Sequence, residues 1–307
     1  MPSVSSLEEA ARLLAAAHAE GRSVRIGDDL TTDGLDRILE HETGDLTCTV
    51  EAGMRLSELN EALGASGQRL SLDPPGDPTV GALLATNVSG PLRHRFGAPR
   101  DLVLGVTLVL ADGTVASAGG KVVKNVAGYD LARLVCGSVG RLALIARASF
   151  RLHPLPKAAR TLLVETGDSA GVVAKLLRSQ LQPSALDVLH PERVAVLFEG
   201  SERAVDAQLE AARLLVGGER AGAEIWDEAR MRQAESRGLV RFVPGELAEA
   251  LASIPEAVVR PAAGIAFTRD ECPSGSEPQS RETADDFVHE LVRRIERELD
   301  PRGVFAA

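Results

Sequence analysis

The run His153-Pro154-Leu155-Pro156 divides the chain into two stretches of different grammar, and that division limits the folds open to it. Prolines at alternate positions remove ladder donors and bar helix and central strand alike. Before the run, strands alternate with loops crowded with glycine and proline; after it, strands and helices follow one another regularly. At ~150 residues per domain, 307 residues suffice for about two cores.

In the first stretch, Ser5-Ser6-Leu7-Glu8-Glu9 predicts a helix start, a hydroxyl cap followed by acids, and the helix stops near Gly21. Val24–Ile26 reads as a short strand ending at Gly27, Leu35–Leu39 as a brief apolar stretch, and Thr47–Val50 as a strand. Ser57–Leu63 reads as a helix capped by Ser57. Asp73-Pro74-Pro75-Gly76-Asp77-Pro78 is a rigid loop, Thr79–Val88 a helix rich in small residues, and Ser89–Arg100 a loop. Leu102–Leu110 is an apolar strand that Asp112-Gly113 turns into Thr114–Ala118, and Leu142–Phe150 is a further buried strand.

In the second stretch, Thr161–Glu165, Ala185–Leu189 and Val194–Phe198 read as strands, with helices at Ala170–Leu181 and Glu202–Val216. This β-α-β-β-α order predicts a ferredoxin-like α+β module. Leu239–Val243, a helix around Glu246–Ala252, and Ala257–Phe267 continue it. Glu271–Ser280 is a polar linker. Glu282–Leu299 is an amphipathic helix with Phe287, Leu291, Ile295 and Leu299 along one face.

Lys+Arg 34 against Asp+Glu 44 gives a net charge of −10, which excludes nucleic acid as a partner. Aromatics at 3% leave no base-stacking platform. The apolar run Ala10–Ala17 is broken by Arg12 and too short for a transmembrane segment, and the acids before it do not suit a signal peptide. Cys48, Cys136 and Cys272 make neither a disulfide framework nor a metal-ligand spacing, so a cytoplasmic setting without a metal is expected.

Only four of the basic residues are lysines, and two of them, Lys121 and Lys124, fall in Gly119-Gly120-Lys121-Val122-Val123-Lys124-Asn125-Val126-Ala127-Gly128-Tyr129-Asp130-Leu131. Cys136-Gly137-Ser138-Val139-Gly140 follows, where small residues admit a ligand to the backbone. A glycine-rich turn with a solvated lysine pair is the alternative reading. Upstream, Pro74-Pro75, Thr79-Val80-Gly81, Asn87, Ser89-Gly90, Arg95-Phe96-Gly97 and Asp101-Leu102-Val103-Leu104-Gly105 precede Asp112-Gly113.

In that order, these motifs resemble the FAD-binding domains of the vanillyl-alcohol-oxidase (PCMH) type, and most resemble the FAD-binding E subunits of bacterial glycolate oxidases. Asp300-Pro301-Arg302-Gly303-Val304-Phe305 is similar to that family's C-terminal ending. The likeness is strong over about residues 45–155 and returns at the end of the chain.

The resemblance implies an α+β chain: a flavin domain of two α/β subdomains (about 1–53 and 54–155), an α+β substrate or cap domain over 156–270, and a C-terminal helix, 281–307, returning to the first domain. It implies non-covalent FAD, with Pro75, Thr79, Val80, Gly81, Asn87, Ser89 and Gly90 lining the flavin and its ribityl chain. Gly137, Gly140 and Ile145 would lie at the adenosine end, with Lys124, Asn125, Tyr129 and Asp130 supporting the wall between. The glycine-rich loop that cradles the pyrophosphate in such domains is shortened here, running Gly27-Asp28-Asp29-Leu30-Thr31-Thr32-Asp33-Gly34 with one glycine at the key turn. Asp28 and Asp29 are expected where phosphates would lie, with Arg25 or Arg141 as compensating cations.

A flavin that oxidises a 2-hydroxy acid needs a base for the hydroxyl proton, and His94, between Arg93 and Arg95, is the candidate catalytic residue. A solvated turn is its alternative reading. His153, before a proline, reads as structural; His18, His41, His190 and His289 have no partner spacing. Two functions follow. One is an FAD-dependent oxidoreductase subunit that oxidises a small 2-hydroxy acid or relays its electrons to a partner subunit. The other is a degenerate homologue without FAD, acting as a structural or regulatory subunit.

Overall fold

The computed structural model describes residues 3–120, 130–270 and 282–305. Helix α1 (Leu7–Glu20) starts as its sequence dictates. Ser6 Oγ accepts the Glu9 N–H, and the Glu9 carboxylate accepts the N–H and hydroxyl of Ser5. Strands β1 (Ile38–Glu42) and β2 (Thr47–Glu51) precede α2 (Leu56–Gly64), the short β3 (Gln68–Arg69) and α3 (Val80–Thr86). Two single-turn helices, α4 (Arg93–Phe96) and α5 (Pro99–Leu102), lead into the hairpin β4 (Val103–Val109) and β5 (Val115–Gly119). Its turn is closed by Asp112 Oδ1, which accepts the Thr114 N–H. Then come α6 (Leu131–Val135), β6 (Leu144–Arg151) and β7 (His153–Pro154).

The first sheet has the order β1-β2-β6-β4-β5, with every pairing antiparallel. The central strand β6 contributes to two cores, and a register shift against β4 moves its faces between them. Ile145 and Phe150 pack with α2 and α3 through Leu59, Leu63, Leu83 and Leu84, whereas Leu144 and Ala146 pack with α1 through Ala10, Leu14 and Ala17.

The second stretch forms β8 (Ala158–Glu165), α7 (Ser169–Arg178), β9 (Ala185–His190), β10 (Arg193–Gly200), α8 (Glu202–Val216) and β11 (Glu219–Ala221). Helix α9 (Glu224–Ala234), β12 (Gly238–Arg241), α10 (Leu247–Ser253), β13 (Ala257–Arg260) and β14 (Ile265–Thr268) complete it. The order β11-β8-β10-β9 is the split β-α-β-β-α-β arrangement, and β13-β14-β12 extend it to seven strands. Helices α7, α8 and α10 pack on one face, on Leu162, Val188, Val194 and Val196. Helix α9 lies on the other, through Ile225, Trp226 and Ala229 on Leu189, Ala195 and Val258. Trp226 Nε1 donates to Thr161 Oγ1 at 2.9 Å.

The last helix, α11 (Glu282–Leu299), ends at Asp300, whose carboxylate accepts the N–H groups of Val304 and Phe305. The Val304 carbonyl then accepts the Val24 N–H, and Phe305 joins the core of Leu14 and Leu30. No helix among the described residues is long and apolar enough to cross a membrane.

Several local expectations change. Val24 and Ile26 make single bridges, to Phe305 and Leu30, because the chain end rather than a sheet strand lies beside them. Ser57 is not a cap: α2 begins one residue earlier, and the Ser57 N–H and hydroxyl both bind Asp77. Pro261 splits the expected strand Ala257–Phe267 into β13 and β14. The proposed linker Glu271–Ser280 lies outside the described residues.

Candidate cofactor site

Three segments distant in sequence converge on one cleft of about 300 Å³ in the first half of the chain. Ile26, Gly27, Thr31, Thr32 and Asp33 form one wall, Thr79, Gly81, Ala82, Ala85 and Thr86 of α3 another, and Val139, Gly140, Ala143 and Ile145 the third. Thr79 caps α3, its Oγ1 accepting the Ala82 N–H. Gly81 lets α3 lie against the end of β2. Its N–H donates to the Ala52 carbonyl at 2.7 Å, and a Cβ would sit 3.1 Å from that oxygen. Among the described residues the Thr31 and Thr32 hydroxyls make no hydrogen bond.

Of the residues singled out in the sequence, the cleft gathers Thr79, Gly81, Gly140 and Ile145. Val80 is buried in the core, its N–H held by the Met54 carbonyl. Asn87 closes α3 in the left-handed region, and its Oδ1 accepts the Arg100 N–H. Gly137 lies beside Asn87 and donates to the Leu84 carbonyl. Pro75 is half-buried, and Ser89 and Gly90 are buried where the first sheet's loops meet the second sheet. Asp130 caps α6 by accepting the Arg133 N–H. Lys124, Asn125 and Tyr129 lie outside the described residues.

The turn Gly27–Leu30 does not present Asp28 and Asp29 to the cleft. The Asp29 carboxylate accepts the Arg25 N–H at 2.9 Å and faces its guanidinium at 3.4 Å, while Asp28 lies 3.8 Å from the same guanidinium. These bonds from Arg25 hold the Asp29 carboxyl below the usual carboxylate range. The N–H groups of Asp28, Asp29 and Leu30 all donate to the Arg25 carbonyl. Asp33, not Asp28 or Asp29, lines the cleft. Arg141 faces Glu296 of α11 at 3.9 Å and borders a separate cavity with Arg293 and Arg297.

A second polar cluster joins the two sheets. Asp73 Oδ1 accepts the Leu92 N–H at 2.9 Å, and Oδ2 faces Arg230 of α9 at 3.4 Å. Asp187 of β9 lies 3.7 Å from Arg260 Nε. Burial pushes the Asp73 carboxyl up to about 7 and that of Asp187 up to about 6, and it lowers the Arg260 guanidinium. Arg93, half-buried, donates to Ser89 Oγ at 3.1 Å; burial and then the charge of Arg260 lower its pKa.

His94 is half-buried on α4, which packs against β9 and the turn Pro261–Ala263; burial lowers its pKa. The His153 ring lies tilted against Phe96 with ring centres 4.7 Å apart, and burial followed by Arg151 and Arg69 pushes its pKa down to about 4. Arg230 and Gln233 escape a sequence reading because polar residues in a polar segment look like a solvated face. The one available signal is Arg260 itself, closing the apolar run Ala257–Val259.

The FAD binding domain family matches residues 3–119. Glycolate oxidase subunit GlcE of Escherichia coli (strain K12) is 33% identical over 201 residues, 64% of this chain and 56% of that protein. D-lactate dehydrogenase [cytochrome] 1, mitochondrial, of Saccharomyces cerevisiae is 30% identical over 184 residues, 58% of this chain and 31% of that one. Glycolate oxidase subunit GlcD of Bacillus subtilis (strain 168) is 33% identical over 168 residues, 53% and 36%. The chain thus spans about half or less of the length of these relatives. A solved alkyldihydroxyacetonephosphate synthase shares the fold, with a TM-score of 0.72 at 16% identity over 98% of this chain and 75% of that one. Residues 3–119 thus match the FAD-binding domain family of the PCMH type, whose cofactor is FAD.

Proposed function

We propose that the chain is the FAD-carrying subunit of a glycolate-oxidase-like oxidoreductase acting on a small 2-hydroxy acid, directly or by relaying its electrons to a partner subunit. The observation that supports this most is the convergence of residues 26–33, 79–86 and 139–145 on one cleft walled by glycine, alanine and threonine. These walls fit an extended dinucleotide: small side chains admit it, and the Thr31, Thr32 and Thr79 hydroxyls can donate to its phosphates. When bound, FAD supplies the two-electron acceptor.

His94 is the proposed base. Its lowered pKa keeps the imidazole neutral and proton-accepting near pH 7. Arg93 beside it is in no ion pair among the described residues and is the proposed cation for a substrate carboxylate. A cytoplasmic setting belongs to the same reading, which includes no metal.

One observation favours a second reading, a structural or regulatory subunit that holds no FAD. The turn at Gly27–Leu30 directs three amides to the Arg25 carbonyl, where a phosphate-binding loop would present them to the ligand. Spectroscopy of the purified protein with an FAD titration decides. The first reading expects flavin bands near stoichiometry and a rise in Tm with added FAD. A colourless protein that gains neither would establish the second. Reduction of the bound flavin by glycolate or D-lactate, lost in His94→Gln, tests the chemistry; reduction unaffected by that change removes His94 from the mechanism.

A further inference from the structure

Two side chains of the second half converge on a single backbone carbonyl of the first. Gln233 Nε2 of α9 donates to the Ser89 carbonyl at 3.0 Å, and Arg260 Nη1, from the end of β13, donates to the same oxygen at 2.9 Å. The two donors are themselves joined, Arg260 Nη2 to Gln233 Oε1, at 2.6 Å. All three residues are out of water: Ser89 is 4% exposed, Gln233 6% and Arg260 3%. A guanidinium and an amide on one carbonyl make a charge-assisted, mutually oriented pair of bonds in a dry setting, where such bonds are strongest.

The segment they hold has little slack. Gly90 lies so close to Asp73 that a Cβ would overlap the Asp73 carbonyl, while the Asp73 carboxylate takes the Leu92 N–H from the other side. The Ser89 carbonyl already accepts two donors. The N–H groups of Ser89 and Gly90, both buried residues, make no hydrogen bond among the described residues. Buried amides without partners are rare in folded proteins, so such a segment is prepared to donate to an incoming acceptor. That preparation depends on side chains from the other sheet.

We infer that Arg260 and Gln233 are positioning residues for the FAD site: by holding the Ser89 carbonyl they fix the Ser89–Gly90 backbone, whose unpartnered amides would be offered to the cofactor, and make the second sheet part of that site. This rests on the FAD reading above. The counter-charges belong to the same device. Asp187, central in β9, lies across from Arg260, and Asp73 lies across from Arg230, so the clamp carries two acids and two guanidinium groups between the sheets.

The test compares Arg260→Ala, Arg260→Lys and Gln233→Ala with the parent by FAD titration and by amide hydrogen exchange at Leu92, Arg93 and His94 in the FAD-free proteins. Arg69→Ala, which breaks a different contact between the two halves, is the control. Arg260→Ala is expected to weaken FAD binding at least tenfold and to speed exchange in that segment. Arg260→Lys is expected to restore part of both, Gln233→Ala to weaken binding severalfold, and Arg69→Ala to leave the FAD Kd within twofold. If Arg260→Ala fails to fold, Gln233→Ala carries the test. Parent-like FAD affinity in both the Arg260→Ala and Gln233→Ala proteins overturns the inference, as does an equal loss in Arg69→Ala. A parent that binds no FAD overturns the cofactor reading, and the positioning role falls with it.

Discussion

Arg69 of β3 grips Glu199 of β10 in a two-pronged pair, Nη1 to Oε1 at 2.9 Å and Nη2 to Oε2 at 2.6 Å, with side chains 16% and 9% exposed. The pair ties the first half of the chain to the second sheet, and the Arg69 guanidinium also lies 5.5 Å from the Phe96 ring centre. Removing one partner leaves the other charge in a poorly solvated place. Glu199→Gln is therefore expected to destabilise the protein by about 3 kcal/mol, more than a surface ion pair could. Urea unfolding gives the value, and a double-mutant cycle with Arg69→Met isolates the pair. A loss within the range of exposed pairs would show that water reaches the contact.

Gly90 admits no side chain. Its backbone is conventional, so a substitution is punished by space rather than by dihedral strain, and the opposing atoms are the backbone and carboxylate of Asp73. Gly90→Ala is expected to cost at least about 3 kcal/mol, because the clash is with main chain that cannot rotate away. Gly44→Ala, with open space around the added methyl, is expected to stay within about 0.5 kcal/mol. Melting temperatures of the two variants give the comparison, and equal losses would contradict the packing described at Asp73.

The buried acids set the pH dependence. The folded-state pKa values of Asp73 and Asp187 are raised, to about 7 and about 6, from the unfolded carboxylate value of about 3.9. A raised folded pKa means that the folded state binds the proton more tightly. Their stabilisation is therefore complete below about pH 4 and is lost as pH rises through 6 and 7. Glu51, lowered by its bond to Arg37, acts in the opposite sense and loses its contribution in acid. Urea midpoints are expected to fall from about pH 5 to about pH 8, and Asp187→Asn to flatten that decline. Midpoints that rise over the interval would contradict the burial of these carboxyls.

These contacts mark how far the sequence could be read. The first helix start at Ser6, the Asp112-Gly113 turn and the bounds of Glu202–Val216 were all legible, because each depends on residues within a few positions of one another. The cleft was partly legible, since its small residues recur in recognisable spacings. The clamp was not. Arg260 and Ser89 are 171 residues apart, and α9 went unseen because its buried face mixes Ile225 and Trp226 with Gln233, leaving no continuous apolar stripe. The exposed-looking polar side chains are polar for each other, and only the docking of the second sheet shows it.

The turn at Gly27–Leu30 is the place where affinity for FAD can be raised. Its closed form depends on Asp29, which binds the Arg25 N–H and guanidinium and so holds the Arg25 carbonyl toward three amides. Asp28→Gly with Asp29→Gly removes that tie and two negative charges near the cleft, and it lets the amides turn outward as an anion-binding turn does. Both changes favour a diphosphate. The double variant is expected to bind FAD severalfold more tightly than the parent. Its ligand-free Tm should be lower by a few degrees, since the turn loses its ordering bonds while α1 and the Phe305 contact keep the surrounding core. Fluorescence titration with FAD and a melting curve of the ligand-free protein separate the two effects. An unchanged Kd in a variant that melts lower would mean that the turn's amides do not reach the diphosphate even when released, and that the Thr31, Thr32 and Thr79 hydroxyls carry the phosphates alone.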